Sequence, residues 1–66
     1  MTKNYIMIII TDKYHNQIHL EDTNPEVLER WYLDYIGRGN PAISMGVYHK
    51  QNGHVLGYNG SKKIVK

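Results

Sequence analysis

Four histidines, His15, His19, His49 and His54, are the side chains of this 66-residue chain best suited to hold a metal or to move a proton near neutral pH. His15 and His19 share parity in one prospective hairpin, and His49 and His54 fall on one face of another, near its tip. Zinc catalysis asks for three protein ligands around an open position, yet there is no His-Glu-x-x-His helix and no Asp or Glu at ligand spacing. The four read as ordinary strand and turn residues, so neither a metal nor any other cofactor is expected. Nucleophilic catalysis needs an activated Ser, Thr or Cys with a base held by a third group. The chain has no Cys, and Ser44 and Ser61 lack an elbow or a base. Glu21, Asp22 and Glu26 suit the start of a helix better than acid–base work. Gly37-Arg38-Gly39 follows a helix C-terminus, whereas phosphate loops precede the N-terminus of one. A domain of this size also lacks the volume for a substrate cleft of ~300 Å³ or more. No catalytic residue is assigned, and the chain is expected not to be an enzyme.

Binding chemistry is more plausible. Tyr48 and Lys50 alternate onto one side of a strand, with Arg38 and the basic tail Lys62, Lys63 and Lys66 expected nearby. Exposed aromatics beside cations can stack and hold single-stranded nucleic acid. The aromatic-rich pattern of RNA-binding sheets is missing, however, and the net charge is only +2, with a pI near 9.0. Dedicated nucleic-acid binders concentrate their cations on one face. The residues expected to contact a partner are Tyr48, Lys50, Val55, Leu33 and Arg38.

The elements that must position these residues are legible from pattern. Asn4 to Thr11 is β-branched and aromatic, too short for a buried helix, and reads as a strand. Its consecutive isoleucines point to opposite sides, so it is central and wants apolar cover on both faces. After a turn within Asp12 to Asn16, of two to four residues, Gln17 to Glu21 alternates like a half-buried partner strand. Asn24 caps a helix, Pro25 occupies its first position, and the helix runs to about Ile36. Val27, Leu28, Trp31, Tyr32, Tyr35 and Ile36 form its apolar half and are expected in the core. Glu26, Arg30 and Asp34 make an i, i+4 charge ladder on the other half, where Leu33 is the misfit. Gly37 or Gly39 ends the helix in a positive-φ cap.

Asn52-Gly53 signals a hairpin with a type I′ turn, joining a strand over Ala42 to Lys50 with another over His54 to Asn59. That turn pairs Lys50 with Val55 and His49 with Leu56. It places Ile43, Met45, Val47, His49, Leu56 and Tyr58 on the helix side, and Ser44, Gly46, Tyr48, Lys50, Val55, Gly57 and Asn59 on the other. Residues 61–66 either extend the last strand or fray as a basic tail.

The expected fold is α+β with the order ββαββ: a single domain over 1–66, a four-stranded antiparallel sheet in the order 2-1-3-4, and one helix packed on one face. One helix shields one side of the sheet, leaving a contiguous apolar surface of the kind that marks interfaces. The longest apolar run, Ile6 to Ile10, is too short to span a bilayer, and no cleavage site follows it, so a cytoplasmic protein with no membrane contact is expected. By analogy with small cysteine-free regulators, the chain reads as a non-enzymatic, homodimeric, phage-type or accessory inhibitor of a host protein such as a defence or transcription factor. The alternative is a nucleic-acid-binding regulator using the open face and the basic tail.

Overall fold

The computed structural model describes residues 3–64. Five strands and one helix follow in the order β1 (Tyr5–Ile10), β2 (Gln17–Asp22), α1 (Pro25–Gly37), β3 (Ser44–His49), β4 (Gly53–Asn59) and β5 (Lys62–Ile64). All neighbouring strands are antiparallel, in the sheet order β2-β1-β3-β4-β5. The isoleucine-rich strand is internal, as its two-sided apolar pattern requires.

The expected four-stranded sheet has a fifth strand at its edge. Asn59 pairs with Lys62 across the two-residue turn Gly60-Ser61. Gly60 has φ +66° and Ser61 has no positive φ, which is the type II′ pattern that a leading glycine permits. Residues 62–64 of the basic tail are therefore ladder residues; Val65 and Lys66 lie outside the described residues.

The first hairpin closes over four residues, Asp12 to His15, bracketed by a Thr11 N–H donating to the Asn16 carbonyl at 2.9 Å. Asp12 organises this loop. Its carboxylate accepts from the Tyr14 N–H at 2.9 Å and from the Asn16 amide at 2.7 Å, and the Asn16 bond is the main cause that lowers its pKa.

The helix starts as its sequence dictates. The Asn24 side chain accepts from the Glu26 N–H at 2.9 Å, and the Asp22 carboxylate accepts from the Asn24 N–H at 3.0 Å. At the other end Arg38 is the C-cap, and Gly39 takes the positive φ, +88°. Asp34 pairs with Arg38 at 2.9 Å rather than completing a ladder through Arg30.

The core joins Met7 and Ile9 of β1, Met45 and Val47 of β3, and Tyr58 of β4 to Leu28 and Tyr32 of the helix. Two tyrosine hydroxyls tie these layers together. Tyr32 donates to the Gly60 carbonyl at 2.6 Å, and Tyr58 donates to Glu29 Oε2 at 2.6 Å. Lys63 reaches the same carboxylate oxygen at 3.0 Å, so β5 is pinned to the helix as well as to β4. The apolar half of the helix is only partly used. Trp31, expected in the core, is 40% exposed and stacks on Tyr35 at 5.3 Å; Val27 is exposed too. A sheet face meets a narrower arc of a helix than half its circumference, and Leu28 and Tyr32 occupy that arc. Ile43, expected on the helix side of a strand, precedes β3 and is exposed.

Candidate functional site: the open face of the sheet

Alternation along β1 sends Ile6, Ile8 and Ile10 to the side opposite Met7 and Ile9. These three isoleucines are half-buried, and no helix lies over them. Gly46 of β3 and Gly57 of β4 are register partners on this face. Two adjacent positions without side chains sink the surface between its neighbours, and the result is an open trough of about 430 Å³ walled by Ile8, Ile10, Tyr48, His54 and Ile64; the expectation that so small a domain has no room for a concavity of this size is therefore not met.

The aromatics lie over the two glycines. A Cβ on Gly46 would stand 2.7 Å from the Tyr48 hydroxyl oxygen, and one on Gly57 would stand 3.1 Å from the Met45 carbonyl oxygen and 3.2 Å from His54 Nε2. Tyr48 is folded back over Gly46 and His54 over Gly57, and the two rings meet edge to face at 5.3 Å. Together they form one end of the trough.

That arrangement depends on a β-bulge. Val47 pairs with Leu56 and Tyr48 with His54, so Val55 has no partner of its own. The expected I′ hairpin would have paired Lys50 with Val55 and His49 with Leu56. The observed loop is instead Lys50 to Asn52, with His49 opposite Gly53. Type I′ needs positive φ at both central residues, whereas Gly53 has φ +89° and Asn52 stays at negative φ. The reason is local: His49 Nδ1 accepts from the N–H groups of Gln51 at 3.2 Å and of Asn52 at 3.0 Å, holding a three-residue turn.

The bulge also separates two histidines that share a face in the sequence reading. His54 lies on the open side against Tyr48, while His49 packs edge to face on Tyr5 at 4.9 Å. His15 sits in the first loop at φ +63°, and His19 bonds the Gln17 side chain at 2.8 Å. Among the described residues no three His, Asp or Glu side chains gather as a metal site would require, and no helix is long and apolar enough to cross a membrane.

Of the residues expected to meet a partner, the structure brings Tyr48 and Lys50 to the open face. Lys50 stands at its rim, ion-paired with Glu21 at 2.8 Å across β1, and that pairing is the chief cause that lowers the Glu21 pKa. Val55 is at the bulge and 37% exposed. Leu33 and Arg38 belong to the helix side and do not join the others. The cations expected to serve nucleic acid are likewise dispersed: Lys63 binds Glu29 on the helix side and Arg38 binds Asp34. Lys62 shares Ile64's parity on β5, and Lys66 lies outside the described residues. Sequence reasoning missed the roles of His54 and Ile64; the available signal for Ile64 was Gly60-Ser61 preceding a short β-prone segment. The chain matches no known protein family, and comparison with curated proteins and with solved structures likewise gives no significant match.

Proposed function

We propose that the chain is a small, self-associating, non-enzymatic binding protein that docks the open face of its sheet onto a target protein, in the manner of an accessory or phage-type inhibitor. The observation that carries this reading is the glycine-floored trough. It is apolar along its isoleucine walls and polar at the Tyr48–His54 end, as the centre and rim of a protein interface are. Its shape suits an apolar side chain projecting from a partner. Lys50 at its rim is neutralised by Glu21, and of the described basic-tail residues Lys62 alone shares this side, so the positive charge offered to phosphates is small.

The test compares affinity capture from host lysate by the wild type and by the double variant Tyr48→Ser/Ile64→Ser. Both residues are exposed, so the variant keeps its fold. A protein captured by the wild type and lost by the variant supports the reading. Capture unaffected by the variant, or steeply salt-dependent binding to random DNA or RNA, would overturn it.

A further inference from the structure

The two edges of the sheet are built differently. Among the described residues β5 is three residues long and carries Lys62 and Lys63, two devices by which natural sheets keep edges from pairing. β2 spans six residues, Gln17–Asp22, with neither Lys nor Pro and no bulge against β1. Its backbone polarity follows from the ladder. The bond from Thr11 N–H to Asn16 makes the even-numbered residues of β2 face β1, because hydrogen-bonded and non-bonded pairs alternate. The bond from Lys50 N–H to the Asn4 carbonyl requires the same parity on the other side of β1. The N–H and C=O groups of Gln17, His19 and Glu21 therefore point away from the sheet.

The exposed flank of the helix stands over this edge. Glu29 reaches Tyr58 of β4 and Lys63 of β5. Val27 and Trp31 lie about 160° around the helix from Glu29, and the sheet order puts β2 on that side. The helix backbone runs closest to β2, β1 and β3, which leaves Val27 and Trp31 exposed on the β2 flank, with Trp31 stacked on Tyr35 of its own helix.

We propose that a second copy of this chain pairs with the β2 edge, the two β2 strands running antiparallel about a two-fold axis at Leu20. The two sheets then form one continuous sheet, with Val27 and Trp31 of both helices closing over the seam. The choice of axis follows from what stands opposite what. Cross-strand partners share a face, so a two-fold must centre on a residue. Centred on Leu20, the strands place Leu20 against its copy on the helix side and His19 against Glu21 of the second copy on the open side. The imidazole then meets the carboxylate that Lys50 also holds, and His19 and Glu21 exchange both main-chain bonds. An axis at His19 would oppose imidazole to imidazole, and one at Glu21 would oppose carboxylate to carboxylate, which is unfavourable. This surface is separate from the trough, and both troughs of the pair remain free on the same side of the joined sheet.

The test is sedimentation equilibrium of the intact chain at micromolar concentration, with the variants Trp31→Glu and Leu20→Cys. A dimer is expected. Trp31→Glu, a change at an exposed position, should weaken it by about tenfold or more. In an otherwise cysteine-free chain, Leu20→Cys should oxidise to a covalent dimer, since a non-bonded antiparallel pair sets its Cα atoms about 4.5 Å apart, within disulfide reach. A monomeric wild type would overturn the proposal. So would a dimer that Trp31→Glu leaves intact and that Leu20→Cys does not cross-link. Tyr48→Ser/Ile64→Ser should dimerise as the wild type does, which keeps a failure here distinct from a failure of target docking.

Discussion

Met7 and Ile9 are fully buried beneath Leu28 and Tyr32, whereas Ile6, Ile8 and Ile10, drawn from the same strand, are only half-buried on the other side. The helix-covered face is closed by volume and by tyrosine hydroxyls that reach across layers. The open face is lowered by Gly46 and Gly57 and ringed by aromatics folded over them. Identical side chains thus serve cohesion on one face and remain available for contact on the other. The difference lies in what the rest of the chain places above them.

Truncation within β1 breaks this comparison most directly. Ile9→Ala should cost about 2–5 kcal/mol, because the cavity it leaves is walled on every side. Ile8→Ala, on the trough wall, should cost about 1 kcal/mol, since lost contacts there are replaced by water. Urea denaturation at neutral pH measures both, and equal costs would mean that the open face is no less a core than the other.

The next effect belongs to the hydroxyl that fastens the covered face. Glu29 is the chief cause that pushes the Tyr58 pKa up to about 12 from 10.0. The native state therefore holds its proton where the unfolded chain releases it. This contribution is complete below pH 10 and disappears as the pH rises through about 12. Tyr58→Phe should cost about 1–3 kcal/mol at neutral pH by removing a hydrogen bond to a charged group, with Lys63 left as the partner of the Glu29 carboxylate, and it should remove this part of the alkaline loss. Stability measured from neutral to strongly alkaline pH in both proteins checks the pair of expectations.

Glu29 itself supplies a smaller, opposite dependence. The Tyr58 hydroxyl first, and the Lys63 ammonium second, lower its pKa below 4.5. Its contribution is therefore present above that value and is lost as the pH falls through the native pKa. Glu29→Gln should flatten the acid limb of the stability profile. The smallest effect is expected on the open face, where Tyr48→Ser should change stability by no more than about 0.5 kcal/mol, as exposed positions usually do. Thermal melts check this beside the binding assays, and a large loss would mean that the ring over Gly46 is structural.

Much of the architecture was legible because it rests on short-range rules. Asn24-Pro25 marks the helix start through a cap and a pre-set φ, and both are found. The isoleucine run declares an internal strand, and the pairing β2-β1-β3-β4 follows from chain order and crossover geometry. Asn52-Gly53 forms the hairpin its residues predict but not a type I′ turn, because the ring of His49 competes for the N–H groups of Gln51 and Asn52. That change of turn brought the bulge, and the bulge moved His54 beside Tyr48. The candidate site was therefore half legible: Tyr48 and its glycine neighbours follow from parity, whereas His54 depends on a register that no two-residue motif specifies.

By itself the sequence determined which segments become strands or helix, where the helix is capped, and which side of β1 each side chain takes, since these depend on neighbours within a few residues. Tertiary structure alone decided that Trp31 stays outside while Tyr32 goes in, that Lys63 becomes a clamp, and that Gly46 and Gly57 meet to floor a trough. Each of those outcomes is set by contact between elements far apart in the chain, where the width of a helix against a sheet and the register of a bulged ladder decide what local pattern leaves open.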